Sequence, residues 1–384
     1  MGHVFYSDAR WARPAIAAAV LVVVTCRTDD ADPHAGRSPG EPMNAPPSPG
    51  AVEPPTSPPP PTPMPSGPEA GNTAGGMAAA SGTGQPGQSP PAATLTIEVP
   101  NVAPGDEDTK CSQVRLSNTS PLNVVRLHNR LTAGSHHFIL TAMRDASVAE
   151  KPLERCLGFG GAVTGAPLSI TQAHDDDVHL PDGVGYRLNA GQVMHLELHY
   201  INTTSQTLDI AATAELFAAE PGAQIQEGAV LLFGTANIAV PPHDMRQTPP
   251  VFLTPPAGTD GIKFYAITGH THRFGTSVTV SLATQSTAPG TRLYAPVPFD
   301  WESPETKQLS PHVSVPPGGG FLLQCAWNNT GNTPLAWGES ATAEMCFFWA
   351  YYYPRKNVFS IVVDNLPPEL LQVLLPVAGL GSSP

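Results

Sequence analysis

The sequence is poor in positive charge: 19 Lys and Arg stand against 32 Asp and Glu in 384 residues, giving a formal net charge of −13. Nucleic acid and anionic lipid are both held by concentrated Lys and Arg, so neither a nucleic-acid partner nor a polybasic membrane patch is expected. The acidic excess serves solubility. Apolar length is short as well. The run from Ala15 to Val24 is about ten residues, where a bilayer span takes roughly twenty. Cysteine is scarce, with five in the chain and no CxxC spacing, which argues against a thiolate metal module. Helical periodicity is missing beyond two turns everywhere except Pro367 to Val377, and no solenoid repeat is present.

Proline is abundant but uneven, and more than a third of it falls before residue 92. That stretch has no periodic apolar residues whose burial could repay chain entropy, so residues 27–93 read as a disordered Pro/Gly-rich tether. Before it, Arg10 and Arg13 precede the short apolar run, the pattern of a signal peptide over residues 1–26. Val23, Val24, Thr25 and Cys26 resemble a bacterial lipobox, which makes Cys26 a lipid anchor and the protein an exported, membrane-anchored lipoprotein of the bacterial cell envelope. A soluble periplasmic or secreted form is the alternative.

From Thr94 onward apolar residues alternate in short bursts, such as Leu95, Ile97 and Val99, or Val278, Val280 and Leu282. Period two means strands, and the Gly- and Pro-rich turns between them indicate antiparallel sandwiches. The expected fold is all-β, with two tandem jelly-roll-like β-sandwich domains over 94–219 and 220–384. Export makes disulfides the default for Cys111, Cys156, Cys325 and Cys346. Three pairings are open; one of them, Cys111 with Cys156 and Cys325 with Cys346, stays within domains.

Histidine carries the chemistry. A strand through His270 and His272 projects both rings from one face, where they can share an ion. His136 and His137 are adjacent, and only a strand end or a bulge near Gly134 lets both reach one metal. In the VMHLELHYIN segment, Met194, Leu196 and Leu198 take one strand face and His195, Glu197 and His199 the other. Spacing does not say which of the two histidines is a ligand. Imidazoles alone could equally hold zinc.

Taken in order, Cys111, His136-His137, Cys156, LPDGVGYRL (180–188), LHYIN (198–202), HTHRFG (270–275), Cys325 and EMCFFWAYYYP (344–354) resemble the copper type II, ascorbate-dependent monooxygenases. This is the family of peptidylglycine alpha-hydroxylating monooxygenase and dopamine beta-hydroxylase. The resemblance implies two coppers per chain, one held by His136, His137 and His199, the other by His270, His272 and Met345, and it makes His195 a non-ligand. A thioether favours Cu(I), so Met345 turns the His-x-His pair into a copper candidate. The resemblance also implies bridges Cys111–Cys156 and Cys325–Cys346, and two domains facing each other across a solvent-filled cleft. The implied reaction is hydroxylation of an aliphatic C–H of a small-molecule substrate by dioxygen, with catalysis at Met345, His270 and His272. Ascorbate or another one-electron reductant is the co-substrate. The same ligands would also suit a non-catalytic copper-binding or copper-delivery lipoprotein. Peptide-hydroxylating members carry an Arg and a Tyr for the substrate carboxylate at the positions of Thr268 and Trp349, so a C-terminal glycine is not expected as substrate. Asp175, Asp176 and Asp177 read as a solvated loop.

Overall fold

The computed structural model describes residues 90–366 apart from Ala146. The signal-peptide and Cys26 readings, the tether up to residue 89, and the helical reading of Pro367 to Val377 lie outside the described residues, while Ala93, read as the last residue of the tether, already begins the first strand. In chain order the first strands are β1 (Ala93–Val102), β2 (Glu107–Arg115), β3 (Leu122–Leu131), β4 (Ser135–Met143), β5 (Lys151–Arg155), β6 (Gly165–Thr171), β7 (Asp175–His179), β8 (Val184–Leu188), β9 (Val193–Ile201), β10 (Leu208–Ala218) and β11 (Gln226–Glu227), with one short helix, α1 (Gly160–Thr164). They continue as β12 (Ala229–Thr235), β13 (Ala239–Val240), β14 (Asp244–Gln247), β15 (Val251–Leu253), β16 (Lys263–His270), β17 (Gly275–Ala283), β18 (Thr291–Tyr294), β19 (Thr306–Val313), β20 (Gly320–Asn329), β21 (Leu335–Ala336), β22 (Phe347–Tyr353) and β23 (Ile361–Asp364). The described chain is an all-β sandwich fold.

Two sheets form first, in the orders β1-β10-β3-β8-β11, with β7 on β3, and β5-β2-β9-β4-β6. Their facing sides enclose one core that includes Ile97, Leu127, Phe138, Leu140, Leu196, Leu198 and Ile210. Two further sheets, β19-β16-β22-β12-β23 and β14-β20-β17-β18 with β15 on β20, enclose a second core around Phe233, Phe264, Phe321, Trp327 and Phe348. The rings of Phe233 and Phe348 stack there at 4.8 Å.

A third apolar cluster joins the two sandwiches. Ile139 and Ile170 from β4 and β6, with Ala162 of α1, pack against Val230, Leu232, Tyr265, Trp349 and Tyr351 from β12, β16 and β22. The sheets that meet at this seam are therefore covered on both faces, and their strands are buried without alternation, as in β9 and β12. On the outer sheet, β1 keeps its in-out alternation. Among the described residues, this apolar seam is where the two sandwiches meet. Large aromatic and branched side chains occupy it, and burying each is worth about 1.5–3 kcal/mol.

Two local readings change. Asp175–Asp177 is no solvated loop but part of β7, paired with β3, where Asp177 binds Arg126 at 2.6 Å and Asp175 binds His128 at 2.9 Å. The strand through the His-x-His pair ends at His270, so His272 lies in the connection to β17. Both disulfides pair within sandwiches, Cys111 with Cys156 and Cys325 with Cys346. The second links β20 to the residue just before β22, across the sandwich core. On the chain-entropy account each bridge contributes roughly 3 kcal/mol.

Candidate metal centre

On β9, Met194, Leu196 and Leu198 enter the first core, so the period-two geometry sends His195, Glu197 and His199 toward the seam. β4 pairs with it antiparallel, with His137 opposite His199, Ile139 opposite Glu197 and Thr141 opposite His195. Between Ser135 and His137 the register slips by one residue, which places a bulge at His136. The bulge follows Gly134, whose φ of +88° is a left-handed conformation, and a Cβ there would come within 2.7 Å of Ile210. Adjacent histidines, which an ideal strand would turn to opposite faces, are thereby both delivered to one place.

The second sandwich supplies His270 and His272. Their rings are 5.2 Å apart and nearly perpendicular. His136 lies 5.5 Å from His270 and 5.6 Å from His272, while His137 lies 5.0 Å from His199 and 5.7 Å from His270. The two histidine groups thus meet in one cluster across the seam. The nitrogens of His136, His270 and His272 are the ones that come within 4.8 Å of one another. All five residues are buried, none more than 3 % exposed.

Hydrogen bonds fix which nitrogen of each ring is free. His270 Nδ1 donates to Gln172 Oε1 at 2.5 Å, and His272 Nδ1 donates to the Ala343 carbonyl at 3.3 Å. Because both partners are acceptors, the opposite nitrogen of each neutral ring carries a lone pair. His199 Nε2 faces Glu107 Oε1 at 3.1 Å, which leaves its Nδ1 as the lone-pair nitrogen. His136 Nε2, His137 Nδ1, His270 Nε2 and His272 Nε2 are buried without a protein partner. Burial, reinforced by the neighbouring imidazoles, holds His136, His137 and His270 well below the usual imidazole range and brings His272 to about 4. Neutral rings with orphaned lone pairs are what a soft or borderline metal ion requires.

Three residues that organise this cluster are not visible in the sequence pattern. Gln172, just beyond β6, reaches over the seam to His270 and also donates to the Gly269 carbonyl at 3.2 Å. Glu107 on β2 holds His199 and accepts from Ala341 N–H and Ser340 Oγ, so it ties the first sandwich to the 340–341 loop of the second. Glu344 is fully buried. Its Oε2 accepts from His272 N–H at 2.9 Å, Trp327 Nε1–H at 2.8 Å and Met345 N–H at 3.3 Å, and its Oε1 accepts from Phe274 N–H at 2.8 Å. One carboxylate oxygen thus binds the backbones of both His272 and Met345. Met345 itself is buried and adjoins the Cys325–Cys346 bridge. The available sequence signal was an acidic residue lodged in the otherwise apolar EMCFFWA stretch.

Thr268 and Trp349 are cross-strand neighbours, but they form no charged clamp. Thr268 Oγ1 bonds Thr306 Oγ1 at 2.8 Å, and the Trp349 ring packs 5.6 Å from His270. His195 is not one of the five clustered rings and lies instead beside Glu197.

Residues 226–373 match the C-terminal domain of the copper type II ascorbate-dependent monooxygenases. The chain is 23% identical over 263 residues to the provisionally named human DBH-like monooxygenase protein 2, covering 61% of this chain and 49% of that protein. It is 31% identical over 61 residues to human DBH-like monooxygenase protein 1, covering 16% of this chain and 10% of that one. It therefore spans at most about half the length of these relatives. Among solved structures, a Sulfolobus turreted icosahedral virus chain overlays with a TM-score of 0.27 at 8% identity, covering 76% of this chain and 96% of that one. The glycosylasparaginase PNGase F of Flavobacterium meningosepticum overlays with a TM-score of 0.22 at 10% identity, covering 71% and 98%. Overlays this loose carry no functional argument. The part of the chain that carries the His-x-His, Met345 and Cys325–Cys346 elements, residues 226–373, is thus the part similar to the C-terminal domain of the copper type II ascorbate-dependent monooxygenases.

Proposed function

We propose that this protein is a copper-dependent monooxygenase that hydroxylates an aliphatic C–H of a small molecule, taking electrons from ascorbate or another external one-electron reductant. The balance is one substrate C–H and one dioxygen, plus two electrons and two protons, yielding one alcohol and one water. The observation that carries the reading is the set of four orphaned imidazole nitrogens in a buried cluster next to the Met345 segment. His136, His137 and His199 would hold one copper, and His270, His272 and Met345 the other. Bound copper supplies one-electron chemistry toward dioxygen, and a thioether ligand favours its reduced form.

The surrounding residues have their own tasks. Gln172 and the Ala343 carbonyl keep the Nε2 lone pairs of His270 and His272 directed away from their hydrogen-bonded sides. Phe159, whose ring is 5.5 Å from His137 and stacked on Phe347 at 6.1 Å, and Trp301, 5.6 Å from His136, restrict water at the edge of the cluster. The Thr268–Trp349 pair offers no cation for a substrate carboxylate, so the substrate is not anchored there through a C-terminal acid. Two tandem domains meeting near residue 220, export, and lipid anchoring through Cys26 to a bacterial envelope belong to the same proposal.

The test is metal analysis of the purified protein, followed by reductant-driven oxygen uptake over a substrate panel. Two coppers per chain and uptake that vanishes in Met345→Ala, with unfolding unchanged, are expected. Copper-loaded protein that consumes no oxygen with any reductant and substrate pair would overturn the catalytic reading.

A further inference from the structure

Away from the five imidazoles, a second group of buried polar atoms lacks partners. His195 Nδ1 and Nε2, Glu197 Oε2, Gln113 Oε1 and Thr141 Oγ1 are all enclosed and unbonded within the protein. Their placement is not scattered. Gln113, His195 and Thr141 form one row across β2, β9 and β4, and Glu197 stands in the next row on the same face. The segment 157–165, which contains α1, roofs them. A Cβ on Gly161 would lie 2.5 Å from the His195 ring and 3.1 Å from Thr141 Oγ1.

Glu197 is completely buried, and its other oxygen accepts Phe159 N–H from this roof at 2.6 Å. Among the described residues no Lys or Arg pairs with it; its only charged neighbour at ion-pair range is His195, at 3.7 Å. A buried carboxylate without a cation is costly, and each further unsatisfied buried group adds to that cost. A gap of 3.7 Å is too long for a hydrogen bond. It is close to the roughly 3.4 Å that separates two tetrahedral ligands at zinc bond lengths. Cys111 Sγ is also within 4.8 Å of these ligand atoms, but it is oxidised to a disulfide and offers no thiolate. What remains is one imidazole nitrogen, one carboxylate oxygen and two neutral oxygens, a donor set for a borderline divalent ion and without the sulfur that selects Cu(I).

We propose that His195 Nε2 and Glu197 Oε2 bind a divalent ion of the zinc class, with Gln113, Thr141 or water completing its shell, at a site distinct from the histidine cluster. The ion neutralises Glu197 and pins the 157–165 roof. Since Phe159 in that roof contacts His137 and His270, the site braces one wall of the main cluster.

The experiment uses the full chain, copper-loaded and then exposed to zinc chloride before desalting. One retained zinc per chain is expected in the wild type, lost in both His195→Gln and Glu197→Gln, with copper content unchanged. Anomalous diffraction above and below the zinc edge on wild-type crystals places the ion without relying on either variant: a zinc peak between His195 and Glu197 supports the site. No retained zinc, equal retention by the double variant, or a solvent peak lacking zinc signal at that position each overturns it. The readout is element-specific, so it stands whether or not the copper reading survives.

Discussion

In the first sandwich the candidate ligands stand on paired strands, and the register of β4 against β9, broken once at His136, places all three rings. Around β16 the register runs out at His270, and His272 and Met345 both sit on irregular backbone. There a buried carboxylate does what strand pairing does elsewhere: Glu344 gathers the two backbones, Phe274 and Trp327 onto its two oxygens. Ladder geometry is spread over many weak bonds, whereas the Glu344 knot concentrates the same task in one side chain. The second half should therefore be the more fragile to a single substitution.

The largest effect expected from that contrast is at Glu344. Replacement by Ala leaves four donors facing an apolar hole, with an expected loss of about 4 kcal/mol in urea unfolding. Glu344→Gln keeps one acceptor oxygen but turns an amide N–H₂ toward N–H donors, and should lose roughly half as much. An unchanged urea midpoint in Glu344→Ala would show that the knot is dispensable. The first-sandwich counterpart is Glu107, whose grip on His199 is shared with the 340–341 loop and partly open to water. Glu107→Ala should cost about 1 kcal/mol, so measuring both variants in one assay tests the contrast directly.

Next in size is Gln172. It is the side chain that crosses the seam to orient His270, and residues that orient ligands typically change metal affinity by about 10–100-fold when removed. Gln172→Ala should weaken copper binding at the His270 site by such a factor in a competition titration. Gln172→Glu, which keeps the acceptor for Nδ1–H, should retain most of it. Equal losses in the two variants would assign Gln172 a packing role instead.

The sequence showed the parts of this arrangement that repeat at short range and hid those that depend on distant chain segments. Alternation along β1 is legible because one face meets the core and the other solvent, and along β9 because its seam face carries His195, Glu197 and His199 opposite Met194, Leu196 and Leu198. β12 and β22 are buried on both faces by the seam, so no alternation marks which side meets the other sandwich. His136, His137 and the bulge at His136 could be anticipated from adjacency and Gly134. The convergence of five rings could not, because it depends on the third apolar cluster, whose members come from β4, α1, β6, β12, β16 and β22. Gln172 and Glu107 were silent, and Glu344 was marked only by its apolar neighbours: an acid or amide looks the same in one dimension whether it meets solvent or an imidazole from the other half. Even the Asp175–Asp177 run misled for this reason, since its strand character comes from pairing with β3.

That run supplies the smallest effect and a control for the comparison. Arg126 donates two hydrogen bonds to Asp177 at 2.6 and 3.0 Å, and this contact, opposed in part by desolvation, holds the Asp177 carboxyl below its ordinary value. A depressed acid stabilises the fold above its unfolded pKa, and that contribution disappears as pH falls through the lower folded value. Asp177 is 40% exposed, so solvent screening limits the pair to about 0.5 kcal/mol. Asp177→Asn should therefore be slightly less stable than wild type at pH 7, with the difference closing as pH drops below the usual Asp range. Because β3 and β7 lie on the outer sheet, copper affinity should not change. A loss of copper binding in Asp177→Asn would mean that the outer sheet is coupled to the histidine cluster, and the contrast between ladder-held and carboxylate-held ligands would then have to include it.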